Sequence, residues 1–330
     1  MGKRPDRTTP NEYADAPVGR ETPSLEHWRN LLPRSARSGF SMKRPQLSGL
    51  SRGLVSLPNL VWVLLFFLVP SALMILYSFA TQDTLTAKIS FGWTLESYER
   101  FNDSIILQAL VRSLWISGAA TFICLLMAYP LAYFLAFRAG RFKPYLVTLV
   151  IIPFLTSFVI RTYAWVGILD TNGILNDALI SLGVLDRPLD LLFSPSAIII
   201  GIVYNYLPLM VLTLFVVLDR IHPHVLEAAR DLGASSISTF RRVVYPQGLP
   251  GMIAGIIVVG APATGEYVIP TILGGGKTLM YGNVIANQFG RSFEWPYGAA
   301  LSVILVGLLL AAIGLCIRVA GRIEFERMPL

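Results

Sequence analysis

Long apolar runs separated by short polar intervals set the pattern of this chain. Against the ruler of roughly 20 mainly apolar residues that a helix needs to cross a bilayer, six runs qualify: Leu57 to Ala80, Ile105 to Phe137, Tyr145 to Leu169, Ser196 to Leu218, Leu249 to Leu273 and Gly298 to Val319. The pattern predicts an all-α integral membrane protein with six transmembrane helices. The second run is long enough to tilt or to project beyond the bilayer. Pro130, Pro153, Pro208 and Pro262 interrupt the runs, and kinks are expected there if neighbouring helices satisfy the freed carbonyls. Residues 1–56 are polar, basic and rich in Pro, Ser and Arg, with no apolar core of a cleaved signal peptide. They read as a disordered cytoplasmic arm ahead of a 57–320 membrane domain, with 321–330 as a cytoplasmic tail.

Composition agrees: of 330 residues, 54% are hydrophobic and only 14% charged, against about a quarter charged in soluble domains. The net charge of +7 is dispersed between apolar runs rather than gathered on a solvated face, which excludes nucleic acid as a partner. It reads as topology. Residues 1–56 hold ten Lys and Arg, Arg138 to Lys143 three, Asp219 to Pro246 four and the stretch from Arg318 three, whereas the opposite faces hold Lys88, Arg100, Arg187, Lys277 and Arg291. Positive charge stays on the cytoplasmic side, so both termini are expected there. The outward segments carry Asp83, Glu96, Glu99 and Asp103, then Asp170, Asp177, Asp186 and Asp190. These acids either attract cations or are what depletion of Lys and Arg leaves behind.

Several chemistries drop out. Cys124 and Cys316 both fall in apolar runs, so spacing builds no disulfide, zinc or redox pair. No nucleophile with a base, zinc motif or carboxylate dyad lies in the spans, so an intramembrane enzyme is not expected. His222 and His224 flank Pro223 without Cys or acid at ligand spacing, and no metal site is assigned. No GxxxxGK[ST] loop is present, so any ATP hydrolysis must come from another chain and no cofactor is assigned to this one. An ion-coupled carrier would show internal repeats with paired broken helices, and none is read here.

The stretch Asp219 to Pro246 is patterned as two short helices. Pro223 suits a first helical position, Leu226, Ala229 and Leu232 recur at helical spacing on one face, and Gly233 is a natural stop. Ser235 or Ser236 caps a second turn ending near Arg241 and Arg242. Ala228 and Ala229 keep the first helix slim enough for another protein surface to approach its backbone. Glu227-Ala228-Ala229, then Gly233, Val243 and Pro246, resemble the EAA loop of permease subunits in binding-protein-dependent ABC importers, with Val243 and Tyr245 standing where that family favours Ile and Leu. The resemblance implies the type I ABC importer permease fold with both termini cytoplasmic. It implies a loop, 219–246, whose first helix docks on a cytoplasmic ATPase, with Leu226, Glu227, Ala228, Ala229, Leu232, Gly233 and Pro246 as contacting or loop-shaping positions.

Other segments narrow the resemblance. Pro153 to Trp165 with the Asn172-Gly173 turn, Gly265-Glu266-Tyr267-Val268-Ile269-Pro270, Leu273-Gly274-Gly275, Gly282-Asn283-Val284-Ile285 and Trp295 to Ala300 look like spermidine/putrescine permeases. The likeness runs over roughly 55–320. It implies an importer of polyamines in the bacterial cytoplasmic membrane, working with two copies of an ATPase that binds ATP and Mg, a second homologous permease and an extracytoplasmic solute-binding protein. Another amine-bearing or opine-like cargo stays open, because the binding protein does most of the selecting.

A polyamine path needs carboxylates and aromatic faces. Glu266, a carboxylate in an apolar run, is the outstanding candidate. Two roles are open to it: substrate contact, or helix packing and gating. Arg161 is its natural counter-ion, and Arg112 reads as snorkelling or structural. Tyr163, Trp165, Tyr204, Tyr206, Tyr267 and Trp295 are candidate aromatic walls or interfacial anchors.

Overall fold

The computed structural model describes residues 58, 60–83, 86 and 88–325. The arm expected over 1–56 and residues 326–330 of the tail lie outside them. The chain forms two compact units, Met1–Leu64 and Leu65–Leu330. The described residues of the first are helical, with exposed apolar side chains such as Trp62.

The second unit begins with α1 (Val69–Ser78), an antiparallel hairpin of β1 (Ala80–Gln82) and β2 (Ile89–Phe91) with Thr81 opposite Ser90, and the turn-like α2 (Glu96–Glu99). Then come α3 (Ser104–Phe137), α4 (Lys143–Ile151), α5 (Phe158–Leu169), α6 (Ile174–Ser181) and α7 (Pro195–Leu218). The chain continues through α8 (Pro223–Asp231), α9 (Ser236–Thr239), α10 (Tyr245–Thr264), α11 (Val268–Leu273), α12 (Tyr281–Gly290) and α13 (Trp295–Phe325). Among the described residues five helices are long and apolar enough to cross a membrane: Leu60–Ser78, Ser104–Phe137, Pro195–Leu218, Ser236–Thr264 and Trp295–Arg318. A sixth crossing exists if Gly140–Leu155 and Phe158–Ser181, bent by 86° at the break between them, count as one.

Two of the predicted runs are therefore not single helices. In the third, Pro153 offers no N–H, Ile152–Leu155 tightens to a 3₁₀ turn, and Thr156 and Ser157 leave the helical region with ψ of 157° and 129°. The kink expected at Pro153 is a full break. In the fifth, expected over Leu249 to Leu273, the helix ends at Thr264, and Gly265-Glu266-Tyr267 separate it from α11. That helix also starts earlier, because α9 runs through a π-turn at Phe240–Val244 into α10. Pro130 and Pro208 lie inside unbroken helices. Two runs are thus broken, although no break beyond proline kinks was read from the sequence.

The core sits where α7 packs along α3 and α10. On α3, Ile116, Ala120, Cys124, Ala128, Ala132 and Leu135 recur every three or four residues and are all buried. Gly248, Gly251 and Gly255 form the matching seam of α10. A Cβ at Gly255 would lie 2.5 Å from Met210 Sδ, and one at Gly251 would lie 2.9 Å from Val217 Cβ. Side chains there would push the helices apart. Lipid tails are as apolar as leucine, so close packing rather than water exclusion holds such helices together. A second core joins Ile106, Ala109 and Leu110 of α3 to Tyr281, Tyr297 and Leu301. Phe122, Leu126 and Leu310 stay exposed, as a bilayer solvent permits.

Candidate functional site

The polar loop that follows α7 begins with an ion pair between Lys143 and Asp219, and Lys143 Nζ also lies 5.4 Å from the centre of the Phe215 ring. Pro223 opens α8 as expected. The helix ends in a Schellman turn: Gly233 N–H donates to Arg230 O, Ala234 N–H donates to Ala229 O, and Gly233 takes φ +79°. Leu226 is buried, while Glu227 and Ala228 are exposed. Glu227 Oε2 lies 3.0 Å from His224 Nδ1. Leu232 does not share the face of Leu226. It is 88% exposed, because it follows the last helical residue, Asp231, as the C-cap.

Ser235 caps α9 by accepting from Ser238 N–H at 3.3 Å. This second limb does not stop at Arg241 and Arg242. It is the root of a membrane helix running Ser236–Thr264, about 40 Å at 1.5 Å per residue. Pro246 lies in the first turn of α10 rather than in a loop. Phe240, which the sequence did not single out, anchors the limb to α3 by packing edge-on against Tyr129 at 5.6 Å and Tyr133 at 6.2 Å.

The second constellation forms around the break after α10. Glu266 is 8% exposed. Tyr206 Oη donates to its Oε2 at 2.9 Å, and the N–H groups of Tyr267 and Val268 donate to its Oε1 at 3.1 and 2.9 Å. The carboxylate thereby serves the free N–H groups where α11 begins. Asn283 braces the same turn: its Nδ2 donates to Tyr267 O at 2.9 Å and Thr271 Oγ1 at 2.8 Å, and its Oδ1 accepts from Met280 N–H at 3.1 Å. The start of α12 is seated in the break, since a Cβ on Gly282 would fall 2.4 Å from Gly265 O and 2.6 Å from Glu266 O. Ser117 and Thr264 hydroxyls meet at 2.9 Å beside it.

The expected partnership of Arg161 with Glu266 is absent: no ion pair joins them among the described residues. Arg161 is buried, its guanidinium lies 5.5 Å from the Phe154 ring centre, and neither Nε nor Nη1 has a partner. The break that precedes α5 turns the helix away from a straight course, a rearrangement invisible in the apolar pattern. Tyr206 rather than Arg161 holds the carboxylate. Tyr204 packs edge-on against Trp165 at 5.4 Å, and Tyr163 and Tyr267 are exposed. Arg112 Nη1 donates to Leu279 O at 3.3 Å. A cleft of about 320 Å³ between α3, α10 and α13 is walled by Leu114, Phe122, Ile256, Leu309 and Ile313 and has no charged lining residue. It has no counter-charge for a cation, whereas the knot around Glu266 has a buried carboxylate and is the candidate site.

The profile of a family described as binding-protein-dependent transport system inner membrane component matches residues 120–324. The spermidine/putrescine transport system permease protein PotB of Escherichia coli (strain K12) is 42% identical over 252 residues, covering 76% of this chain and 91% of that protein. PotB of Haemophilus influenzae is 40% identical over 252 residues, covering 76% of this chain and 88% of that protein. Among solved structures, a bacterial ABC transporter that imports the acidic polysaccharide alginate superposes with a TM-score of 0.67 at 15% identity, over 83% of this chain and 97% of that one.

Proposed function

The chain belongs to the family of binding-protein-dependent transport system inner membrane components, and from that premise we propose that it is half of the translocation pathway of an ATP-driven polyamine importer. It is a permease subunit of the cytoplasmic membrane and not an enzyme. The single observation that carries the cargo is the 42% identity with a spermidine/putrescine permease over 91% of that protein's length. The cargo is thus spermidine or putrescine, delivered by an extracytoplasmic binding protein. A second, homologous permease completes the pathway. Two copies of a partner ATPase bind ATP and Mg and do the hydrolysis.

The bent pair counts as one crossing in this reading, which makes six spans with both termini cytoplasmic, in keeping with the bias of Lys and Arg. The coupling surface is α8. Exposed Glu227 and Ala228 face the ATPase, Leu226 anchors the helix from beneath, and Leu232, bare at the C-cap, is an apolar contact for the partner. Closure of the ATPases moves α8 and α9, and the helix Ser236–Thr264 carries that displacement to its far end, where Glu266 begins the break. Tyr163 and Tyr267 offer exposed faces for cation–π contact with ammonium groups, at about 0.5–2 kcal/mol each. Glu266 acts as a gate: it meets the cation when the break opens, and otherwise holds α11 in register.

Uptake of radiolabelled putrescine and spermidine tests the reading, in cells lacking other polyamine importers and expressing the chain with its partner subunits. Glu227→Lys serves as the uncoupled control. Uptake that disappears in the control is the expected result; coupled uptake of a different solute, with no polyamine uptake, would overturn the cargo.

A further inference from the structure

We propose that Arg161 is a positioning residue of the transport cycle, whose guanidinium exchanges its present unpaired state for an ion pair with Glu266 when the permease changes conformation. A cation buried among membrane helices is expensive without a counter-charge. Arg161 is 7% exposed and two of its donors have no acceptor. Of the helices that pack on α5, α7 and α11 contain no Asp or Glu, and α6, which follows the opposite end of α5, has only the exposed Asp177. Glu266 stands at the threshold of α11, and α11 packs on both α5 and α7.

Contacts next to one charge and on the other reach consecutive residues of α7. Thr162, next to Arg161, meets Asn205 Nδ2 at 3.4 Å; Tyr206, next to Asn205, holds Glu266. Each charge also sits at a hinge. Arg161 lies in the first turn of α5, with its N–H bonded to Ser157 O at the 86° break, and Glu266 lies within the break between α10 and α11. Both charges are now served by neutral groups: the Phe154 ring under Arg161, and the Tyr206 phenol and two backbone N–H groups on Glu266. Bending at either hinge lets them trade these partners for each other, which releases Tyr206 and uncaps α11. Packed interfaces switch between discrete arrangements rather than deform smoothly, and such an exchange provides two.

The inference rests on the importer reading for its partners but not on polyamine as cargo. The test uses the whole complex in lipid nanodiscs, with ATPase stimulation by the binding protein as readout and no polyamine uptake. Arg161→Gln and Glu266→Gln are each expected to lower the stimulated rate at least tenfold with subunits still co-purifying. The double variant should be no worse than twofold below the poorer single, since both remove one interaction. Multiplying losses would overturn the pair, as would a normal rate in Arg161→Gln, which would mean that ordered water serves the guanidinium throughout.

A second measurement avoids the loss of the charges' effect on rate. With Cys124→Ala and Cys316→Ser as background, a short bifunctional thiol reagent is applied to Thr162→Cys with Tyr267→Cys, the neighbours of the two charges, which stay in place, in the nucleotide-free and ATP-vanadate-trapped complexes. Crosslinking that differs at least threefold between the two states is expected. Equal crosslinking in both would overturn the exchange.

Discussion

Three donors converge on the carboxylate of Glu266, and only one of them is a side chain. Tyr206→Phe removes that donor and leaves Oε2 unserved in a buried site, a cost of about 1–3 kcal/mol. The expected outcome is a lower melting temperature of the purified complex together with reduced flux. Glu266→Gln keeps the shape and weakens the two backbone contacts; polyamine uptake at limiting substrate should fall about tenfold, corresponding to about 1.4 kcal/mol, while co-purification stays normal. Unchanged uptake would confine Glu266 to packing. Gly282 is a sharper case, because the neighbours a Cβ would strike are backbone oxygens that cannot rotate away. Gly282→Ala should therefore reopen the seat of α12 and cut the yield of folded protein severalfold, measured by size-exclusion of the solubilised complex.

On the scale of elements, the coupling segment is a short docking helix joined through Gly233 and Ser235 to the root of a long membrane helix. Gly233 has no neighbour within 4 Å of a Cβ, so a substitution there is penalised by its φ of +79° and not by a clash. Gly233→Asp costs about 1–2 kcal/mol of local strain and should tilt α8 while leaving the chain inserted. Loss of ATPase co-purification or of coupled uptake is the expected readout, and normal values of both would sink the docking assignment. Phe240→Ala separates the other joint, since it strips the ring that packs on Tyr129 and Tyr133. It should preserve ATPase binding and reduce transport per ATP hydrolysed.

For the molecule as a whole, orientation is checked by fusing a reporter that fluoresces only in the cytoplasm to residue 330 and, separately, to the acidic loop at Asp186. Signal from the first and none from the second is expected. The sequence by itself determined that the chain is a multi-pass membrane protein, because apolar length is a local and additive property, and the EAA spacing carried its resemblance to importer permeases. It also placed Pro223, Gly233 and a serine cap at 235 or 236, which obey short-range backbone rules; the structure selected Ser235. It marked Glu266 as unusual, since a carboxylate in an apolar run is conspicuous whatever surrounds it. Tertiary structure alone decided that two runs are broken, that Tyr206 and not Arg161 serves Glu266, and that Phe240 joins the loop to α3. Hydropathy averages over a window and cannot see a break that apolar residues flank on both sides. Partner choice between side chains tens of residues apart depends on how α5, α7 and α11 pack, and no spacing along the chain encodes that.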